Sequence, residues 1–257
     1  MKFIILGCGS SMGVPRIDSF FGNCDPKNKK NYRTRCSALL QANKSNILID
    51  SSPDLRSQLL RHKIKKIDKV FYSHMHADQT HGINDLRIFY IKNKKPLPIY
   101  ADNITSSYLF KTFTYCFKKM NNGYPPTLKL NKIKNNFYIN DGHNKKIFVQ
   151  AIKVKHGDVE SVCYIFDKKI AYISDVKEIY KSDLKYFKNL KYLIIDCLWK
   201  RNHPSHLNFK ESIELIKYLS PKKAILTNLH SDLDYNLLKK KLPLNIIPAF
   251  DGLTIKL

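Results

Sequence analysis

The six cysteines of this 257-residue chain are scattered, and no two of them stand as Cys-x-x-Cys. Sparse thiols of this kind fit a reducing compartment rather than a disulfide framework. A secretory apolar region is also missing, because Met1-Lys2 leads straight into a short apolar stretch, too brief for a leader and far too short to span a membrane. The expected location is the cytoplasm, with no membrane association. No repeat, long linker or low-complexity boundary interrupts the chain, so residues 1–257 are expected to form one domain. Acidic residues are few: 21 Asp and Glu against 45 Lys and Arg give a net charge of +24. The lysines are spread in short runs such as Lys27-Asn28-Lys29-Lys30 and Lys239-Lys240-Lys241, many beside asparagine and isoleucine. That pattern reads equally as a surface for RNA and as compositional bias, and under either reading the field favours an anionic substrate.

What the sequence does hold is concentrated in residues 74–81, His-Met-His-Ala-Asp-Gln-Thr-His, directly after the apolar run Val70-Phe71-Tyr72. A strand points successive side chains to opposite faces, so His74 and His76 share a face and reach one metal ion, while Asp78 just beyond can face a neighbouring ion. Neutral imidazole and carboxylate suit a borderline metal such as zinc, and three protein ligands with an open position make a catalytic rather than a structural site.

With these residues the chain resembles the metallo-β-lactamase superfamily, whose signature is His-x-His-x-Asp-His after a strand. The last histidine of that signature is Gln79 here, and an additional histidine, His81, follows two residues later. The resemblance implies further metal ligands at strand ends: His156, after Phe148–Val154 and before Gly157; Asp175, after Ile170–Ser174, as an aspartate that bridges two metals; and His230, after Ala224–Leu229. It also implies that Asp78 and position 79 serve the second metal site. The opening Phe3–Pro15, the stretch Asn46–Arg56, the segment Gly82–Arg87 and the tail from Ser231 to Gly252 are similar to the branch holding the PhnP-like phosphodiesterases and the pyrroloquinoline quinone biosynthesis B proteins. Many members of that branch carry a cysteine cluster for a structural zinc after the first strand. Here the region offers only Cys24 and Cys36, and no structural zinc is expected. The fold implied is the four-layer αββα sandwich of the α/β class.

The elements read from the pattern fit that architecture. Strands are expected to begin at Lys2, Ser37, Asn46 and Lys69, with a helix over Pro53–His62, and again at Pro98, Lys146, Val159, Ile170, Lys191, Lys223 and Leu253. A helix over Phe209–Leu219, capped by Asn208 and closed before Pro221, has the clearest periodicity, and Ser106–Phe117 reads as another.

The chemistry expected is metal-dependent hydrolysis with one or two divalent ions, zinc or manganese, acting on a small or cyclic phosphodiester. Asp78 is placed to orient the nucleophile. By similarity to ribonuclease Z, a superfamily relative, Asp196 and His206 are a carboxylate–imidazole pair that delivers a proton to the leaving group, with His203 as the rival acid. Arg33, Arg35 and Arg87 are candidate phosphate donors, and Ser10 and Ser11 lie in a Gly-rich loop whose amides could face an anion. Two other readings stay open: an RNA 3′-processing nuclease, favoured by the charge but lacking a Gly-rich arm, and a non-catalytic ligand carrier or RNA-binding module with a degenerate metal site. Family precedent makes a homodimer an expectation.

Overall fold

Phe3 and Ile5 of the first strand enter one apolar cluster, while Ile4 and Leu6 between them enter another. The same split recurs near the C-terminal half, where Ile194 faces the first cluster and Leu193 and Ile195 a third. Strands buried on both faces read as continuous apolar runs, which is why the pattern here shows runs rather than alternation. The computed structural model describes residues 1–119, 121 and 123–257.

In chain order the strands are β1 (Lys2–Gly7), β2 (Ser37–Ala42), β3 (Ser45–Ile49), β4 (Lys69–Phe71), β5 (Leu97–Ala101), β6 (Leu128–Lys132) and β7 (Asn136–Asn140). They continue as β8 (Lys146–His156), β9 (Val159–Phe166), β10 (Ile170–Ile173), β11 (Tyr192–Asp196), β12 (Lys223–Thr227), β13 (Ile246–Pro248) and β14 (Thr254–Lys256). One sheet runs β14-β1-β2-β3-β4-β5-β6 and the other β13-β12-β11-β10-β9-β8-β7. Within each, part is antiparallel and part parallel: β3 to β6 in the first sheet and β10 to β13 in the second are parallel. The inner cluster between the sheets is aromatic, with Phe3 5.7 Å from Tyr172 and Phe71 5.2 Å from Tyr164, ring centre to ring centre. Outside the first sheet, Leu55, Phe89 and Leu109 come from three helices; outside the second, Ile216, Leu219 and Leu238 come from two. The result is the αββα sandwich.

The helix over Phe209–Leu219 has the bounds its periodicity gives. Asn208 Oδ1 accepts from Glu211 N, Glu211 Oε2 accepts from Asn208 N, and Ser220 ends the helix in the left-handed region before Pro221. The helix expected over Ser106–Phe117 is two: Asn103–Thr112, opened earlier by Asp102 accepting from Thr105 N at 2.8 Å, and Thr114–Phe117 beyond a break at Phe113. Two lysine runs have local partners. Lys239–Lys241 close the helix Tyr235–Lys241, where cations oppose its carbonyl end, and Lys30 Nζ lies 4.5 Å over the Tyr235 ring.

Arg33 is 2 % exposed and serves the fold rather than a phosphate. Its guanidinium donates to the carbonyls of Leu233 at 2.7 Å and His230 at 3.3 Å and to Asn31 Oδ1 at 3.1 Å, tying the loop after β1 to the segment after β12. Arg35 is likewise engaged, with Asp54 at 3.0 Å. Arg33→Met keeps the apolar stem but takes the donor from the buried Leu233 carbonyl and the part-buried His230 carbonyl. It is expected to lower stability by ~1–3 kcal/mol for each group left unpaired, read as a lower urea midpoint at unchanged slope; an unchanged midpoint would count against this role.

Candidate metal centre

The parallel strands deliver their chemistry at their carboxyl ends, the usual place for a site in such sheets. β4 stops at Phe71, and two bonds hold the chain just before the first histidine: Ser73 N donates to Asp50 Oδ1 at 2.7 Å, and Val162 N donates to Ser73 O at 2.8 Å. The second bond links the two sheets, so the position of His74 is fixed relative to β8 and β9. His74 and His156 are buried. His74 Nδ1 lies 3.0 Å from Ser73 Oγ, and His156 Nδ1 donates to Ser205 O at 2.8 Å. Such outer partners fix the tautomer and leave each Nε2 with its lone pair inward. Gly157, at φ 63°, permits the second contact, because a Cβ there would run into Ser205.

Three imidazole nitrogens converge. His74 Nε2 is 2.9 Å and His156 Nε2 is 3.3 Å from His76 Nδ1. A tetrahedral zinc with Zn–N of about 2.0–2.1 Å would set its nitrogens roughly 3.3 Å apart, so the triad fits such an ion. Burial pushes the His74 imidazolium down to about 3 and lowers His76 and His156, so all three are neutral near pH 7, as ligands must be. Asp175 stands beside them. Burial opposes its charge, but His74, His156 and His206 together hold it below the usual carboxylate range. Asp78 goes the other way, pushed up by burial and by the charge of Asp175.

Asp196 and His206 form a pair, with His206 Nδ1 2.7 Å from Asp196 Oδ2. Asp196 also accepts from Val176 N at 3.0 Å and from Asn228 Nδ2 at 3.2 Å. Burial pushes the Asp196 carboxyl up to about 6, while these donors favour its charged form. Burial works against the His206 cation, but the Asp196 charge and hydrogen bond raise it to about 9. At neutral pH the pair is carboxylate and imidazolium. The loop that carries His206 is set by Leu198 N donating to Leu207 O and Leu207 N to Val176 O. His206 packs on His156, ring centres 4.6 Å apart, and His156, Asp175 and His206 make a second ligand-capable cluster.

These groups line a cavity of about 270 Å³ that includes Ser11, His76, Asp78, Asp175 and His206, with no lysine or arginine among its lining residues. A larger cavity of about 510 Å³ beside Phe209 and Leu237 gathers none of the clustered histidines. His230, His81 and His203 belong to neither cluster. His230 packs on Trp199, ring centres 5.2 Å apart, and its Nδ1 accepts from Asp232 N, so the structure does not bring it to either cluster. β12 ends at Thr227, and the residue facing the site is Asn228, whose φ of 60° turns the chain away before His230. His81 follows the short helix Ala77–Thr80 and meets Tyr108 Oη at 2.9 Å. His203 lies 5.0 Å from the His206 ring on the cavity wall. Asn228, Ser205 and Asp50 hold site residues in position, and none of the three is singled out by a sequence motif. The one signal for Asn228 was an asparagine directly after a strand.

A family model described as the beta-lactamase superfamily domain matches residues 45–228. The chain belongs to that superfamily. Among solved structures, this superfamily member is similar over its whole length to a crystal structure of a diphosphatase from the PhnP family: 29% identity, TM-score 0.87, covering 97% of that chain. It is 31% identical to an octanoyltransferase of Porphyromonas gingivalis across 98% of this chain and 51% of the relative. It is 33% identical to ribonuclease Z of Staphylococcus saprophyticus across 54% of this chain and 45% of the relative. The chain thus spans about half the length of the curated relatives it matches.

Proposed function

We propose that this chain is a metal-dependent hydrolase that cleaves a small phosphodiester or diphosphate ester. The observation that carries the reading is the placement of the Asp196–His206 pair, bonded at 2.7 Å, against the convergent nitrogens of His74, His76 and His156. His74, His76, His156 and Asp175 would hold a divalent ion, zinc or manganese; when bound, such an ion acidifies water and withdraws charge from a phosphoryl oxygen. Asp78 orients the attacking water from the cavity wall. His206, with Nδ1 committed to Asp196, has Nε2 left to protonate the departing oxygen. Asp196 keeps that tautomer in place.

Support for the substrate class comes from the PhnP-family diphosphatase, similar over the full length, and from a cavity whose volume is at the small end for ligand sites. RNA is the second reading, supported by the ribonuclease Z match and the charge of +24. The cavity itself lacks basic residues, so the excess charge would act as a long-range field. Among the described residues no helix is long and apolar enough to cross a membrane. A cytoplasmic location and a homodimer are part of the proposal.

Bis(p-nitrophenyl) phosphate turnover is expected to vanish on chelation and return with Zn²⁺ or Mn²⁺, with a diphosphate ester, a lactone, an octanoyl thioester and a short RNA assayed beside it. Robust lactone or thioester turnover without cleavage of any phosphate ester would overturn the assignment.

A further inference from the structure

Gln79 and Asn228 are two carboxamides that close on the same carboxylates. Gln79 is fully buried, and its Nε2 donates to Asp78 Oδ2 at 3.1 Å and to Asp175 Oδ2 at 3.2 Å. Asn228 is 2 % exposed, and its Nδ2 donates to Asp175 Oδ1 at 3.4 Å and to Asp196 Oδ1 at 3.2 Å. Asp175 therefore has an amide N–H on each of its two oxygens. Such an NH₂ group is a donor without a usable lone pair, so in this orientation neither residue can ligate a cation.

The orientation is fixed by chemistry. Turning either amide over would aim an oxygen at two carboxylates. For Gln79 it would also place the NH₂ where Oε1 now has no partner, leaving buried donors unmet. Asn228 cannot donate to His206 Nδ1, 3.1 Å away, because that nitrogen gives its own proton to Asp196, so its NH₂ serves the carboxylates. Among the described residues, His81, His203 and His230 fall outside both ligand-capable clusters. His81 is bonded to Tyr108, His230 packs on Trp199, and His206 has Nδ1 on Asp196. The cluster of His156, Asp175 and His206 shares His156 with the triad, so a second ion there would draw a ligand from the first.

We infer that this chain holds a single divalent ion, in the triad of His74, His76 and His156 with Asp175, and that the carboxamides of Gln79 and Asn228 occupy the place of the second ion. The inference rests on the triad being a metal site, as proposed above, and departs from the two-metal arrangement that the superfamily resemblance implies. Two neutral NH₂ groups hold Asp78 and Asp175 in position, which a second cation would otherwise do. The site then has one strong electrophile, and the remaining positive group facing the substrate is the proton donor.

The test counts metal rather than activity. Protein stripped with chelator, reloaded with excess Mn²⁺ and desalted is expected to keep one ion per chain by mass spectrometry, with the electron paramagnetic resonance spectrum of an isolated ion. Gln79→His combined with Asn228→His is expected to add a second ion and an exchange-coupled spectrum. Two retained and coupled ions in the unmodified protein would overturn the inference, whereas no retained ion would remove the triad reading beneath it. If the double variant fails to fold by circular dichroism, Gln79→Glu supplies a near-isosteric change that exchanges the NH₂ for a charged oxygen. It is expected to tighten a second equivalent, read as a second ion retained after desalting, because a carboxylate oxygen suits such a metal. A folded variant, of either kind, that gains no second ion would overturn the inference as well.

Discussion

His156→Ala is expected to lose its bound ion and to bring phosphodiester turnover to background, whereas His230→Ala is expected to keep both. His156 supplies one of three convergent nitrogens and has its other nitrogen committed to Ser205 O at 2.8 Å, so its removal leaves the triad one nitrogen short. Losing an outer partner of a ligand typically costs about 10-fold to 100-fold in metal affinity, and losing the ligand itself should cost more. His230 makes its contacts with Trp199 and Asp232, outside both clusters. The pair of variants is read by metal content after desalting, by diester turnover and by circular dichroism. Equal loss of metal from the two would place His230 among the ligands, against the geometry.

The histidine at 230 shows where sequence stops being sufficient. His74, His76 and His156 stand at or just past apolar strands whose ends the αββα architecture brings together, and Asp175, just past β10, groups with His156 and His206. The C-terminal position needed one more fact, the residue at which β12 ends. A histidine three residues beyond Thr227 is as prominent in the sequence as any other, but the turn at Asn228 sends it to Trp199. The backbone partners were out of reach for a similar reason. Ser205 acts through its carbonyl, and nothing in a side-chain pattern reports that.

The fold divides the same way. β1, β2, β8, β9, β10 and the helix Phe209–Leu219 are long or strongly apolar and begin at or next to the residues expected. β6 (Leu-Lys-Leu-Asn-Lys) and β7 (Asn-Phe-Tyr-Ile-Asn) were not legible, because they are the edge strands of their sheets and carry lysine and asparagine, which edges tolerate. β13 has three residues and ends in Pro248, a composition that reads as a turn. The helix breaks at Phe113 although the aromatic run continues in sequence on both sides of it.

His206→Ala is expected to lose about 10²-fold to 10⁴-fold in turnover on esters with poor leaving groups, the range that general acid catalysis supplies. Nitrophenyl esters, whose leaving groups need little protonation, should lose far less, and metal content should not change, because the residue is assigned as the acid and not as a ligand. Asp196→Asn separates that role from a structural one. The Asp196 charge and hydrogen bond hold His206 up to about 9 against burial, so at pH 7 to 8 the acid form is present and is lost as pH rises through that value. Taking the charge away should lower that pKa and move the alkaline fall in turnover on poor leaving groups to lower pH. His203, 5.0 Å from the His206 ring and lowered by burial and by the His206 charge, carries less of its protonated form at the same pH, so His203→Ala is expected to leave the leaving-group dependence intact. Equal losses on good and poor leaving groups in His206→Ala, with no movement of the alkaline limb in Asp196→Asn, would show that the pair supports the loop over residues 197–207 and does not move a proton.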